Sequence, residues 1–255
     1  MKDIEEAAYR VLSRALLAGR LKPDSPLRET ALSEVFGISR ERVRKLLLRL
    51  GTNRLLELVP NRGAFVAAPS LEQARAIYEA RRILEGGIAS HLATSLSETD
   101  AERLRAHTEQ EERAMALGDR AESVRLSALF HMIMAEATGN AWVIQQMQEL
   151  VSRTAMLVAM YESANATQCA CDEHRTIFTS LLRGNSAESA QAMRSHLSLV
   201  ETRLRPVPVS PAADTLDVLR ALWAQEQAHS APAAQEVDTA STSVDQVMTR
   251  PGSSA

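Results

Sequence analysis

Between Leu27 and Val66 the chain reads LRETALSEVFGISRERVRKLLLRLGTNRLLELVPNRGAFV. From Thr30 to Phe36, apolar Ala31, Leu32, Val35 and Phe36 give a short helix one buried face. Gly37 supplies the left-handed conformation that ends it, and Ser39 offers a side-chain oxygen to cap the next helix. From Arg40 to Leu50, Val43, Leu46, Leu47 and Leu50 recur at helical spacing, while Arg40, Arg42, Arg44, Lys45 and Arg49 fill the remaining positions. A strand pattern over Leu55–Val59, a turn at Pro60-Asn61-Arg62-Gly63 and a returning strand over Ala64–Ala67 complete the run. Helix, glycine turn, basic helix and hairpin in that order are what a winged helix-turn-helix requires, which makes double-stranded DNA the first partner to consider.

The charge distribution agrees. The 255 residues carry a net charge of −3, but residues 1–65 hold 13 Lys/Arg against 8 Asp/Glu, net +5. Residues 66–205 are net −4 and the last 50 are also net −4, so the basic charge sits where phosphate binding needs it. Two cysteines, two residues apart, are no disulfide framework and fit a reducing compartment. No apolar run approaches the roughly 20 residues that span a bilayer. The opening MKDIEEAAYR is charged and amphipathic, unlike a signal peptide. The expectation is a cytoplasmic protein with no membrane partner.

The run Leu27–Val66 also resembles the GntR family of bacterial transcription regulators. Matching positions are Leu27, Glu29, Leu32, Ser33, Phe36, Gly37, Ile38, Ser39, Arg40, Val43, Arg44, Leu47 and Leu50, then Arg62-Gly63-Ala64-Phe65-Val66. The chain departs from the family habit at Glu41-Arg42, where Thr-Pro is common, at Thr30, where a basic residue is common, and at Thr52-Asn53-Arg54. Operator sequence is therefore not transferable. On the expected recognition helix, Arg40 and Arg44 are the candidates for base edges, since a guanidinium grips guanine bidentately. Ser39, Lys45 and Arg49 are candidates for phosphate contact, Asn61-Arg62-Gly63 for a wing in the minor groove, and Arg28 and Arg42 join the DNA-binding set.

Beyond Pro69 strand patterns vanish and apolar residues recur every three and four positions. The pattern predicts six helices, at about 71–95, 98–117, 119–137, 141–161, 167–183 and 186–204, joined by short turns into an antiparallel bundle. The fold class expected is mainly α, an N-terminal winged helix-turn-helix (1–68) followed by a six-helix effector-binding and dimerisation domain (69–205). Residues 206–255 form a tail, with an amphipathic helix over 214–227 docking on the bundle or a partner, and an Ala/Ser/Thr/Pro-rich end without the apolar content to fold alone. The helical region resembles the FCD effector domain of one large GntR subfamily, and six helices rather than seven resemble its VanR-like branch.

His174 and His196 lie at comparable distances on either side of Gly184-Asn185, so an antiparallel hairpin brings them to one level. Both share faces with apolar residues, and His131 sits on a third inward face. A lone histidine on such a face is usually a hydrogen-bonded core residue. Three together suit a divalent metal such as zinc or nickel as well. FCD domains carry D-x-x-F-H, E-H and H-L elements whose aspartate and three histidines are metal ligands. Phe130-His131, Glu173-His174 and His196-Leu197 match, whereas the aspartate position is Ser127. Three histidines completed by water or effector, a weak site, or a metal-free pocket all remain open.

Cys171, one turn before His174, is either a substitute ligand or an idle thiol. Arg81 either pairs with Glu85 four residues on or faces an effector, the role the family's R-x-x-x-E pattern implies. Ser127 and Asn140 complete the candidate effector set, although a helix-terminating role explains Asn140 equally well. The expected function is a homodimeric, ligand-responsive DNA-binding regulator, a repressor released by a small carboxylate-bearing metabolite, and not an enzyme. Two rivals are a metal-dependent hydrolase using the three-histidine pocket, and a metabolite-binding scaffold with a non-functional head. The hydrolase lacks an evident general base, because Glu173 is expected to face away from His174.

Overall fold

The computed structural model describes residues 2–162, 167–206 and 214–230. The chain opens with α1 (Lys2–Leu17), then β1 (Pro26–Leu27), α2 (Glu29–Phe36), α3 (Arg40–Thr52) and the hairpin β2 (Leu56–Val59)–β3 (Gly63–Val66). Six helices follow: α4 (Leu71–Ser95), α5 (Glu98–Ala116), α6 (Arg120–Ala137), α7 (Ala141–Tyr161), α8 (Thr167–Leu182) and α9 (Ser186–Arg203). A last helix, α10, spans Thr215–Ser230.

In the head, Gly37 adopts φ +65° and its N–H bonds to Ser33 O, closing α2. Ser39 caps α3 by accepting from Arg42 N–H. The hairpin runs in register from Leu56↔Val66 to Val59↔Gly63, and Asn61 (φ +61°) and Gly63 (φ +98°) make its tight tip. The sequence reading did not include β1; its two residues pair antiparallel with β3, giving the strand order β1-β3-β2. Nor did it resolve α1, whose Ala8, Val11, Leu12, Ala15 and Leu16 bury one helical stripe.

Helix starts in the bundle are set by side-chain caps: Ser70 with a reciprocal Gln73 for α4, Ser97 for α5, Asp119 for α6, Asn140 for α7 and Asn185 for α9. Gly118, Gly139 and Gly184, all near φ +65 to +71°, turn the chain between neighbours. The core gathers Leu92, Leu104, Phe130, Met134, Met147, Ile177 and Leu197.

An apolar cluster and two ion pairs join head and bundle. The buried stripe of α1 shares one apolar cluster with Val124 of α6 and with Ala155 and Met156 of α7. Arg14 bonds to Asp119 at 2.6 Å, and Arg54 to Glu149 at 2.8 Å. The tail helix expected over 214–227 forms, but on the head: Leu219 and Trp223 are buried in the head's cluster, and Arg10 pairs with Glu226 at 2.7 Å. The α1–α2 face of the head takes Leu219 and Trp223 because it is apolar and lies uncovered by the sheet. The unfolded end expected after His229 lies, from residue 231 on, outside the described residues.

Candidate metal and effector site, and the nucleic-acid groove

His131 (α6), His174 (α8) and His196 (α9) converge in the bundle, all buried, with ligand nitrogens within 4.8 Å of one another. His196 Nε2 lies 3.2 Å from His174 Nε2 and 3.3 Å from His131 Nε2. Each outer nitrogen is held by a carboxylate. His131 Nδ1–H donates to Glu85 at 2.5 Å, His174 Nδ1–H to Glu111 at 2.8 Å, and His196 Nδ1–H to Glu173 at 2.6 Å. A carboxylate only accepts, so the proton of each neutral ring sits on Nδ1 and the Nε2 lone pairs face inward.

Burial, helped by Arg81 beside His131 and by the other imidazoles, outweighs the carboxylates and brings His131 down to about 4 and His196 to about 3, leaving both neutral near pH 7. The Nε2 lone pairs of these two rings, 3.3 Å apart, thus meet with no hydrogen to share. A cation among them removes the repulsion. Zinc–nitrogen bonds of about 2.0–2.1 Å place tetrahedral ligand nitrogens about 3.3 Å apart, close to the two short separations seen. Rings oriented by carboxylates are also the usual arrangement around a bound metal. The residues fit a divalent ion.

The carboxylates are themselves anchored. Glu85 accepts from Arg81 Nε at 2.5 Å, and Arg81 Nη1 donates to Thr154 at 2.8 Å. Burial would raise Glu85, but Arg81 and His131 outweigh it and hold its carboxyl at about 2. Glu173 likewise sits at about 2 despite burial, held by His196 and by Arg203 at 2.7 Å. Phe130 stacks on His174, ring centroids 4.1 Å apart and 10° from parallel, which fixes that ring's plane.

Beside the imidazoles lies a cavity of about 30 Å³ lined by Tyr78, Arg81, Ser127, His131, Thr154 and His196, with apolar Val124, Ala155 and Val158. Tyr78 OH and Arg81 Nη2, both fully buried, have no hydrogen-bond partner there. A buried donor without a partner is costly, so two lining one cavity point to a missing acceptor. Ser127 lies one turn before His131 and offers a hydroxyl to the same space.

Two expected effector residues are elsewhere. Asn140 is exposed and starts α7 as its N-cap, accepting from Trp142 N–H and Val143 N–H at 3.0 and 3.4 Å, so it neither lines the cavity nor ends a helix as the sequence suggested. Cys171 is buried but does not join the converging nitrogens, and burial with nearby Glu111, Glu112 and Asp172 pushes its thiol up to about 11. A thiol that stays protonated is a poor ligand. Glu173, expected to face away from His174, accepts from His196 Nδ1–H at 2.6 Å and so belongs to the site. Sequence reasoning missed Glu85, Glu111 and Glu173 as ring anchors, and Tyr78 and Thr154 as lining. Glu85 carried a signal in its spacing from Arg81; Glu111, in the acidic run EQEER, carried none.

At the other end of the molecule, α3, the start of α2 and the wing enclose an open groove of about 800 Å³. Arg28, Arg40, Arg44, Asn61, Arg62 and Gly63 all line it. Lys45 is exposed beside it and pairs with Glu41 at 3.0 Å. Arg42 and Arg49 lie against α1 instead, bound to Glu5 at 2.9 Å and Glu6 at 2.6 Å, and Arg49 stacks on Tyr9 at 3.7 Å. They brace the recognition helix on its far side because positions 42 and 49, seven residues apart, share a helical stripe that 40 and 44 do not. Ser39 is likewise engaged as a cap.

The family model for bacterial regulatory proteins of the gntR family matches residues 4–66, and the FCD domain model matches residues 76–199. The chain belongs to the GntR family. Among its relatives, the HTH-type transcriptional repressor RspR of Escherichia coli strain K12 is 24% identical over 209 residues, covering 81% of this chain and 91% of that protein. The HTH-type transcriptional regulator LutR of Bacillus subtilis strain 168 is 27% identical over 205 residues, covering 72% of this chain and 93% of its own length. The solved structure of E. coli McbR/YncC superposes with a TM-score of 0.62 at 18% identity, over 77% of this chain and 94% of that one, which shows a shared fold. Among the described residues no helix is long and apolar enough to cross a membrane.

Proposed function

We propose that this GntR-family chain is a homodimeric, cytoplasmic repressor that releases DNA when a small carboxylate-bearing metabolite enters the bundle. The observation that carries the reading is the pairing of three inward-facing imidazole nitrogens with an adjoining cavity whose donors, Arg81 Nη2 and Tyr78 OH, are unpartnered. His131, His174 and His196 would hold a divalent ion such as zinc or nickel, which supplies a positive centre for an anionic oxygen. Ser127 contributes no charge, so the fourth, anionic ligand is left to the effector. Arg81 and Tyr78 orient its carboxylate, and Thr154 holds Arg81 in place.

The head reads DNA through Arg40 and Arg44, with Arg28, Lys45 and Arg62 on phosphates and Asn61 and Gly63 shaping the wing. One head contacts too few base pairs for specificity in a genome, which is why two are expected on one pseudo-palindrome. The route between sites is short. Val124 and Ala155 form both the cavity wall and the seat of α1, so a ligand that displaces them moves the head.

A hydrolytic role is disfavoured by the same geometry. Glu85, Glu111 and Glu173 are each committed to an imidazole Nδ1–H, and the described residues lining the cavity include no carboxylate.

The test is a gel-shift titration of the purified full chain against a randomised duplex pool at several salt concentrations, with and without Zn²⁺ or Ni²⁺ and a panel of small carboxylates. Binding that falls steeply with salt and is relieved by a carboxylate supports the reading. Binding absent at every salt concentration overturns it.

A further inference from the structure

Glu29 stands in the first turn of α2 and reaches across to the recognition helix. Its Oε1 accepts from Arg44 Nε at 2.8 Å, its Oε2 accepts from Arg44 Nη2 at 2.9 Å, and Arg40 Nη2 lies 4.0 Å from the same Oε2. Both arginine side chains remain more than 60% exposed, and all three residues line the open groove. Exposed pairs of this kind add little to folding. The stability of the head does not explain why the two arginines that α3 sends into the groove converge on one carboxylate.

Geometry does. A guanidinium has five N–H donors in a fixed plane. Glu29 takes one from Nε and one from Nη2, so the end-on edge formed by Nη1 and Nη2 stays free. That edge is the fork that meets O6 and N7 of guanine. A long exposed arginine otherwise samples many rotamers and grips a phosphate as readily as a base. The carboxylate also places a negative charge in the groove, which opposes a phosphate settling where a base edge should go.

We propose that Glu29 is a positioning and specificity-determining residue for DNA reading: it locks the Arg44 fork toward the groove, draws Arg40 alongside, and repels misdocked backbone. The inference rests on the DNA-binding reading and extends it to a residue that does not itself supply affinity. Glu29 separates two quantities that a structural residue would move together. Its removal lowers selectivity while leaving binding to unselected duplex equal or stronger.

The experiment selects preferred duplexes from a randomised pool with the wild-type full chain, then with Arg44→Ala, which marks the base positions that depend on Arg44. Glu29→Gln, Glu29→Ala and Glu29→Asp are next compared on the selected duplex, on the same duplex changed at those positions, and on unselected DNA. The expected result is a loss of roughly tenfold in preference at the Arg44-dependent positions for Gln and Ala, within the range of one bidentate base contact. Binding to unselected DNA should hold or rise a few-fold in both. Asp keeps the charge without the reach, so it should lose the preference while holding wild-type affinity for unselected DNA. Full preference retained in the Gln and Ala variants overturns the proposal while leaving salt-dependent DNA binding intact. Loss of binding to selected and unselected duplex alike makes Glu29 a folding residue of the head, which also overturns it. Failure of the wild type to bind any duplex sinks the DNA-binding reading itself.

Discussion

Phe36, the last residue of α2, meets Trp223 of α10 edge to face, with ring centroids 5.2 Å apart and planes at 80°. The two lie 187 positions apart in sequence, so the helix that follows the bundle completes the core of the head that precedes it. With Leu219 fully buried beside them, this contact makes α10 a part of the winged domain. Trp223→Ala should therefore destabilise the head by on the order of 3 kcal/mol, as for large-to-small changes in a core. Urea unfolding followed by far-ultraviolet circular dichroism would measure the loss. Deleting residues 207–255 should match or exceed it, and an unchanged midpoint in both would show that α10 is dispensable to the head.

Much of this arrangement was legible in the sequence, for physical reasons that differ by region. Helices α4 to α9 announced themselves through caps and stops: Ser70 and Ser97 at two starts, and Gly118, Gly139-Asn140 and Gly184-Asn185 at the turns, where both asparagines prove to cap the following helix. The hairpin was legible because Asn61 and Gly63 accept the positive φ its tip demands. His174 and His196 were paired by their spacing from one turn. What stayed hidden was long-range. Nothing local in EQEER singles out Glu111 as the partner of His174, and two-residue β1 is too short to show a period. The amphipathic stripe of α10 signalled that something would be covered, but not that it would be α1 and α2. Arg42 and Arg49 looked like DNA contacts because composition reports charge and not direction.

Gly19 marks the joint between head and bundle. Its φ of +65° is left-handed, and a Cβ there would fall 2.5 Å from the carbonyl oxygen of Ala159 on α7. Gly118 has the same φ and nothing within 4 Å of its own Cβ position. Ala at either site carries a backbone strain of about 1 kcal/mol, so Gly118→Ala measures that strain alone. Gly19→Ala should lose clearly more, because Ala159 O must move while Arg120 also holds the end of α7 through Val158 O and Glu162 O. Equal losses in the two variants would mean the joint yields freely.

Glu111 offers a test of the three-histidine site that leaves all three rings in place. Its carboxylate accepts from His174 Nδ1–H at 2.8 Å, and His107 approaches it at 4.0 Å. Glu111→Gln keeps the shape and an acceptor but removes the charge that makes the ring a stronger donor of its Nε2 lone pair. Outer-shell changes of this type weaken metal binding by about 10- to 100-fold. Competition for Zn²⁺ against a chromophoric chelator would read the shift. His174→Ala should abolish high-affinity binding, and an unaltered affinity in both variants would remove His174 from the ligand set.

Arg81 has two roles that a single substitution can separate. Through Nε and Nη1 it neutralises buried Glu85 and bonds Thr154; through Nη2 it presents an unpartnered donor to the cavity. Arg81→Ala should destabilise the fold by about 3–5 kcal/mol, the penalty for leaving a buried charge without its partner. Such a loss would say nothing about ligand binding. Arg81→Lys retains a positive charge near Glu85 but not the planar fork, so the fold should survive while the cavity loses its donor. Thermal shift then decides between the roles, because a ligand that binds only the folded state raises its melting temperature. A carboxylate that stabilises the wild type should stabilise Arg81→Lys far less. Equal shifts would reduce Arg81 to a partner of Glu85 and leave Tyr78 as the cavity's only unpartnered donor among the described residues.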